Sequence, residues 1–157
     1  MQTIRRIAVL GGVTVLAAAA LAVPAAADTQ VTELASLVDG GGRDAKAVND
    51  QGQAAGTSLA PDKSVHAVRW DADGTITDLG DSFDGKWSIA YGINNGGVVV
   101  GEVDGDGHRN PTRWDADGTP TRLDLPDGAV GGEARAINND GVIVGWTKIG
   151  DVDHGVR

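Results

Sequence analysis

The chain has no cysteine, and that absence alone removes disulfide scaffolds, Cys-ligated zinc sites and cysteine nucleophiles. Aromatic side chains are few: four Trp, one Tyr and one Phe in 157 residues, so each large ring is a landmark. Cations are scarce too, with 13 Lys and Arg against 22 Asp and Glu, a net charge of −9. Nucleic acids and anionic membrane surfaces are held by clustered Lys and Arg, so neither is an expected partner. Beyond the N-terminal stretch no window sustains a period of 3.6, which excludes long amphipathic helices. What is abundant is glycine, at 24 residues about twice the usual share of roughly 7%. Turns and short strands are the expectation.

The N-terminus carries an address. Arg5-Arg6 precede a mostly apolar run from Ile7 to Val23, and Pro24-Ala25-Ala26-Ala27 lead to Asp28. A basic start, an apolar middle and small residues before a polar one read as a secretory signal, residues 1–27, cleaved after Ala27. Gly11, Gly12 and Thr14 dilute the run and no basic stop-transfer segment follows, so no membrane anchor is expected after cleavage. The twin arginines leave open export by the general or the twin-arginine route. Removal of 1–27 takes away two arginines and no acids, deepening the charge of the mature chain from −9 to −11.

The remainder, 28–157, repeats at 44 to 45 residues. Asn49, Asn94 and Asn138 form one column; Gly52, Gly97 and Gly141 a second; Gly56, Gly101 and Gly145 a third. Arg69-Trp70-Asp71-Ala72-Asp73-Gly74 returns as Arg113-Trp114-Asp115-Ala116-Asp117-Gly118, and Thr32-Glu33-Leu34 as Thr77-Asp78-Leu79 and Thr121-Arg122-Leu123. Several columns in one register signal a repeat architecture. Each period holds four short strand candidates. The first alternates small residues (Ala45, Ala47; Ala90, Gly92; Ala134, Ala136). The second is an apolar run (Val98-Val99-Val100, Val142-Ile143-Val144) that degenerates to Gln53-Ala54-Ala55 in the first copy. The third is Val65–Trp70, whose counterpart contains Pro111 and so belongs near a sheet edge; the fourth is Thr75–Leu79. Four strands per period of about 44 residues is the unit of a β-propeller blade. The expected fold is therefore all-β and propeller-like. It has two full blades, about 44–80 and 88–125, a partial third from 133, and an orphan fourth strand at Val31–Leu34. Because propellers close with about four to eight blades, the chain is expected to be a fragment or a truncated product, with sticky open edges.

The Ala-Ile-Asn-x-x-Gly-x-Val-Val-Gly pattern, with His66-Ala67-Val68-x-Trp70 and Asp78-Leu79-Gly80, resembles the HAF repeat family of secreted bacterial proteins over about residues 31–157. The name-giving triplet departs to Asn110-Pro111-Thr112 and His154-Gly155-Val156 in the later copies. The resemblance implies an extracellular, propeller-like repeat protein and supplies no catalytic residues.

Site candidates are correspondingly few. Asp104 and Asp106, in Asp104-Gly105-Asp106-Gly107-His108, offer oxygens to calcium but lack the later bidentate Glu of a helix-loop-helix site. Asp71-x-Asp73-Gly74 and Asp115-x-Asp117-Gly118 read as turns whose side chains bond their own backbone. His66 and His154 fall in different repeats and read as structural. Trp70 and Trp114 repeat and read as core. Phe83 and Trp87 do not repeat, lie on the longer connection, and are the candidates for stacking on a sugar. No nucleophile elbow, metal-binding His pair or phosphate loop is present. The expectation is a secreted, non-catalytic binding or structural segment, with an unknown extracellular glycan or protein as ligand and no cofactor beyond the calcium candidate. The alternative is part of a secreted polysaccharide hydrolase whose catalytic residues lie in further blades.

Overall fold

Each Asn-to-Gly segment closes a tight turn. The amides of Gly52, Gly97 and Gly141 donate to the carbonyls of Asn49, Asn94 and Asn138 at 3.0 to 3.1 Å. All three glycines have φ between 74° and 80°, the left-handed region that glycine enters without a Cβ penalty. These turns organise a computed structural model that describes residues 31–80, 83 and 86–157. The export signal expected at 1–27 lies outside the described residues.

Among the described residues every regular element is a strand. β1 (Arg43–Val48), β2 (Ala54–Leu59), β3 (Val65–Trp70) and β4 (Ile76–Asp78) form one sheet in chain order. β5 (Ser88–Ile93), β6 (Val99–Gly105), β7 (His108–Trp114) and β8 (Pro120–Arg122) form a second in the same order. β9 (Ala129–Ile137), β10 (Ile143–Ile149) and β11 (Val152–Val156) form a third. All pairings are antiparallel, and none of the three sheets closes on itself. The architecture is all-β.

The first and second sheets pack against each other. Ala55, Ala67 and Leu79 of the first repeat meet Ala90, Ile93, Val99, Val103 and Trp114 of the second in one buried cluster. Both Val99 and Val100 are buried, so the apolar run of β6 is covered on both faces, as its lack of alternation suggests. β2, degenerate in sequence, is nonetheless a full strand. Ala55 is fully buried in the same cluster as the Trp114 ring.

Side chains staple one sheet to the next in a repeated sense. Asn49 Nδ2 donates to the Asn94 carbonyl at 2.9 Å, and Asn94 Nδ2 to the Asn138 carbonyl at 3.2 Å. The Oδ1 of each Asn accepts amides of its own turn, Gln51 and Gln53 for Asn49, Gly96 and Val98 for Asn94. One side chain thus fixes the turn and ties it to its neighbour, which is why the Asn column is the most regular in the sequence.

Two expectations need correction. The segment Thr32–Leu34 forms no strand. The stretch following it is held by side chains instead: Trp70 Nε1 donates to the Ala35 carbonyl at 2.7 Å and Ser58 Oγ accepts the Leu37 amide at 3.1 Å. Pro111 lies in β7, an interior strand rather than an edge. The β7–β8 ladder covers Thr112–Trp114, and just beyond it Pro111 still engages the neighbouring segment through its carbonyl, which accepts the Leu123 amide at 2.8 Å. In the first repeat the equivalent residue is Ala67, whose amide donates to the buried Ser88 Oγ at 2.8 Å. The residue equivalent to Ser88 beside Pro111 is Gly132, so donor and acceptor are absent together. Ser88→Ala is expected to lower stability by about 1–3 kcal/mol, because the Ala67 amide would stay buried without an acceptor. A denaturant midpoint unchanged from the parent would refute this.

Candidate ligand-binding site

The site begins with a β-bulge repeated in all three sheets. The β1–β2, β5–β6 and β9–β10 ladders skip Lys46, Tyr91 and Arg135 at the equivalent position, and β9–β10 has a second irregularity between Thr147 and Ile149. Opposite each bulge stands the glycine of the third column, Gly56, Gly101 or Gly145. A Cβ on Gly101 would overlap the Ile89 carbonyl oxygen and lie 3.0 Å from Ala90 Cα. The glycine therefore permits the bulge, and a bulge re-aims the side chain it carries. In β5 that side chain is Tyr91.

Tyr91 Oη donates to Glu102 Oε1 at 2.8 Å. Glu102, on β6, is fully buried, as is Glu133 on β9. Arg109 of β7 lies between them. Its Nη1 is paired with Glu133 Oε1 and stands 3.7 Å from Glu102 Oε1, while Arg135 Nη2 pairs with Glu133 Oε2. The Arg135 guanidinium sits 4.3 Å from the centre of the Tyr91 ring, and that of Arg109 5.9 Å from the centre of Trp87, both within cation–π range. Glu133 is thus paired at both oxygens. Glu102 is not: its buried Oε2 has no ion pair and, like Glu133 Oε2, no hydrogen bond.

Tyr91, Glu102, Arg109 and Trp87 border a cavity of about 530 Å³, within the size range of about 300–1,000 Å³ usual for small-molecule sites. Its lining includes Trp87, Tyr91, Glu102, Arg109, Lys63 and Lys86. The β2–β3 turn supplies Lys63, the segment entering β5 supplies Lys86 and Trp87, and β6 and β7 supply Glu102 and Arg109.

Burial pushes the Glu102 carboxyl above its ordinary range, against the opposing pull of the Tyr91 hydrogen bond. Burial and the Glu102 carboxylate likewise raise the Tyr91 phenol. A carboxyl raised in the folded state holds its proton more tightly there than in the unfolded chain. Stability therefore falls as pH climbs from the ordinary value of 4.5 through the raised one. Glu102→Gln, neutral throughout, is expected to flatten this part of the stability curve. Melting temperatures measured across the acid-to-neutral range check it; an unaltered slope would remove Glu102 as the source.

The sequence candidates are dispersed. Trp87 lines the cavity, half-buried. Phe83 does not; it packs against the core cluster with the Arg122 guanidinium 4.8 Å from its ring centre. Asp106 sits at the tip of the β6–β7 hairpin with φ 55°, its Oδ2 3.9 Å from Arg122, and the Asp104 amide donates to the Trp87 carbonyl at 2.9 Å. Among the described residues no three His, Cys, Asp or Glu gather to hold a metal ion. Asp73 and Asp117 accept the amides of Thr75 and Thr119 at 2.9 Å, the expected turn chemistry, which lowers both carboxyls. His66 is buried with Nδ1 2.9 Å from Asp78 Oδ1, and His154 is exposed in the third sheet.

Sequence reasoning missed Glu102, Glu133, Arg109 and Tyr91. One signal was present: Glu102 is the lone charge inside the apolar run Val98–Val103, and its counterparts in the other repeats are Thr57 and Trp146. An acid in a buried strand must have a partner or a purpose.

No family model, curated protein or solved structure matches the chain.

Proposed function

We propose that this chain is a secreted, non-catalytic repeat protein of the β-propeller type that binds an extracellular glycan in the Trp87 cleft. Secretion is supported by the signal pattern at 1–27 and the HAF-like columns that follow. The propeller reading is supported by three sheets with one strand order, one bulge position and one sense of Asn staple. The observation that carries the binding reading is the cavity bordered by Trp87 and Tyr91, with the unpartnered carboxylate oxygen of Glu102 beside it. Aromatic faces suit the C–H faces of sugar rings, and a buried lone acceptor suits a hydroxyl.

The test is a glycan-binding panel with the full chain and Trp87→Ala. Binding of at least one oligosaccharide, lost in the variant, is expected; no binding, or equal binding by both proteins, would overturn the reading.

The hydrolase alternative is favoured by one observation: Glu102, bordering the cavity, is a buried acid without counterpart in the other repeats. Release of reducing ends from a polysaccharide, abolished by Glu102→Gln, would establish it in place of simple binding.

A further inference from the structure

Two cations at the Trp87 cleft, Lys63 and Lys86, have no ion-pair partner among the described residues. Among the described residues, Arg43, Lys46, Arg69, Arg109, Arg113, Arg122 and Arg135 each have a carboxylate within 4.0 Å. Lys63, Lys86, Lys148 and Arg157 have none, and of these four Lys63 and Lys86 line this cavity. The chain as a whole carries a charge of −9, so two unpaired lysines beside a third cation, Arg109, make a local reversal of sign. Lys63 also has φ 71°, in a tight turn where its amide donates to the Ala60 carbonyl at 3.0 Å. Glycine or asparagine suits that backbone better than lysine, so the turn alone gives no reason for the side chain.

The two ends of the cleft therefore ask for different chemistry. At one end Glu102 Oε2 is a buried acceptor without a donor. A ligand ammonium would satisfy it but would meet Lys63, Lys86 and Arg109; a hydroxyl satisfies it without that repulsion. At the other end the lysines ask for an anion, and Trp87 and Tyr91 between them offer ring faces to an apolar surface.

We propose that the cleft selects an acidic sugar, a pyranose bearing a carboxylate, with its hydroxyls on Glu102, its C–H face on Trp87 and its carboxylate at Lys63 and Lys86. This rests on the glycan-binding reading above and adds the charge of the ligand to it.

The experiment is calorimetric titration of the full chain with a short oligogalacturonate and with its fully methyl-esterified form, which keeps the rings and removes the charge. The acid is expected to bind about tenfold tighter than the ester or better, as for gain of a charge-assisted contact. The difference should vanish in the Lys63→Ala/Lys86→Ala double variant. Trp87→Ala should lose both ligands; if its melt shows it unfolded, Trp87→Phe replaces it and should weaken both equally. Equal or tighter binding of the ester overturns the acidic-sugar proposal and leaves the glycan reading standing. Equal binding of a poly-glutamate peptide overturns it too, since charge alone would then suffice. Binding of neither oligosaccharide, together with an empty glycan panel, overturns both.

Discussion

Gly101→Ala is expected to cost about 3 kcal/mol or more, the upper end of what overpacking a well-packed site produces. A methyl group there has no room, because it would overlap the Ile89 carbonyl oxygen, which is backbone and cannot rotate away. Relief requires the β5–β6 ladder to open at the bulge, and that bulge carries Tyr91. The variant should therefore lose both stability and binding in the Trp87 cleft. Gly155→Ala is the control, since a Cβ there meets nothing within 4 Å. Chemical denaturation of both variants checks this. A Gly101→Ala midpoint close to that of Gly155→Ala would mean that the glycine column is not what permits the bulge.

Trp114→Ala should be comparably damaging, at about 3–5 kcal/mol for an aromatic removed from a closed core. The ring is fully buried and is the largest member of the cluster joining the first and second sheets. Its neighbours Ala55, Ala67 and Ala90 are already small and cannot collapse into the space. The damage should fall on the contact between sheets, so unfolding is expected to lose cooperativity as well as midpoint. Trp146→Ala, at a half-buried position, should cost clearly less. Equal losses at Trp114 and Trp146 would contradict the placement of the core.

Much of this fold is legible in one sequence because repetition amplifies it. The Asn49, Asn94 and Asn138 column marks the turns, and the valine runs mark the second strands. Trp70 and Trp114 mark the core because a large ring can recur only where each repeat offers the same socket. The bulge was hidden. Alternating Ala45 and Ala47, or Ala90 and Gly92, look like an unbroken strand, and the skipped residue is defined only by its partner strand. The small inner residues do also serve close approach: a Cβ on Gly92 would lie 3.1 Å from Ala136 Cα of the third sheet.

The site was less legible for the opposite reason. Periodicity highlights what recurs, whereas Glu102, Tyr91 and Arg109 are departures from their columns. They converge from β5, β6 and β7 through strand register, which spacing along the chain does not convey. The Asp-rich turns drew attention because their acids are adjacent in sequence. In the structure Asp73 and Asp117 hold their own backbone, as their turn pattern implies. Of the two aromatics singled out on the long connection, Trp87 borders the cavity and Phe83 packs on the core.

The most direct measurement uses the scarcity of tryptophan. With four Trp in the chain, the indole N–H signals form a small, resolvable set in a proton–nitrogen correlation spectrum. Titration with the short oligogalacturonate is predicted to move the Trp87 indole signal, assigned by its loss in Trp87→Phe, and to leave the buried Trp70 and Trp114 signals in place. A titration that moves Trp70, Trp114 or Trp146 while Trp87 stays fixed, or that moves none of the four, would contradict a glycan site in this cleft.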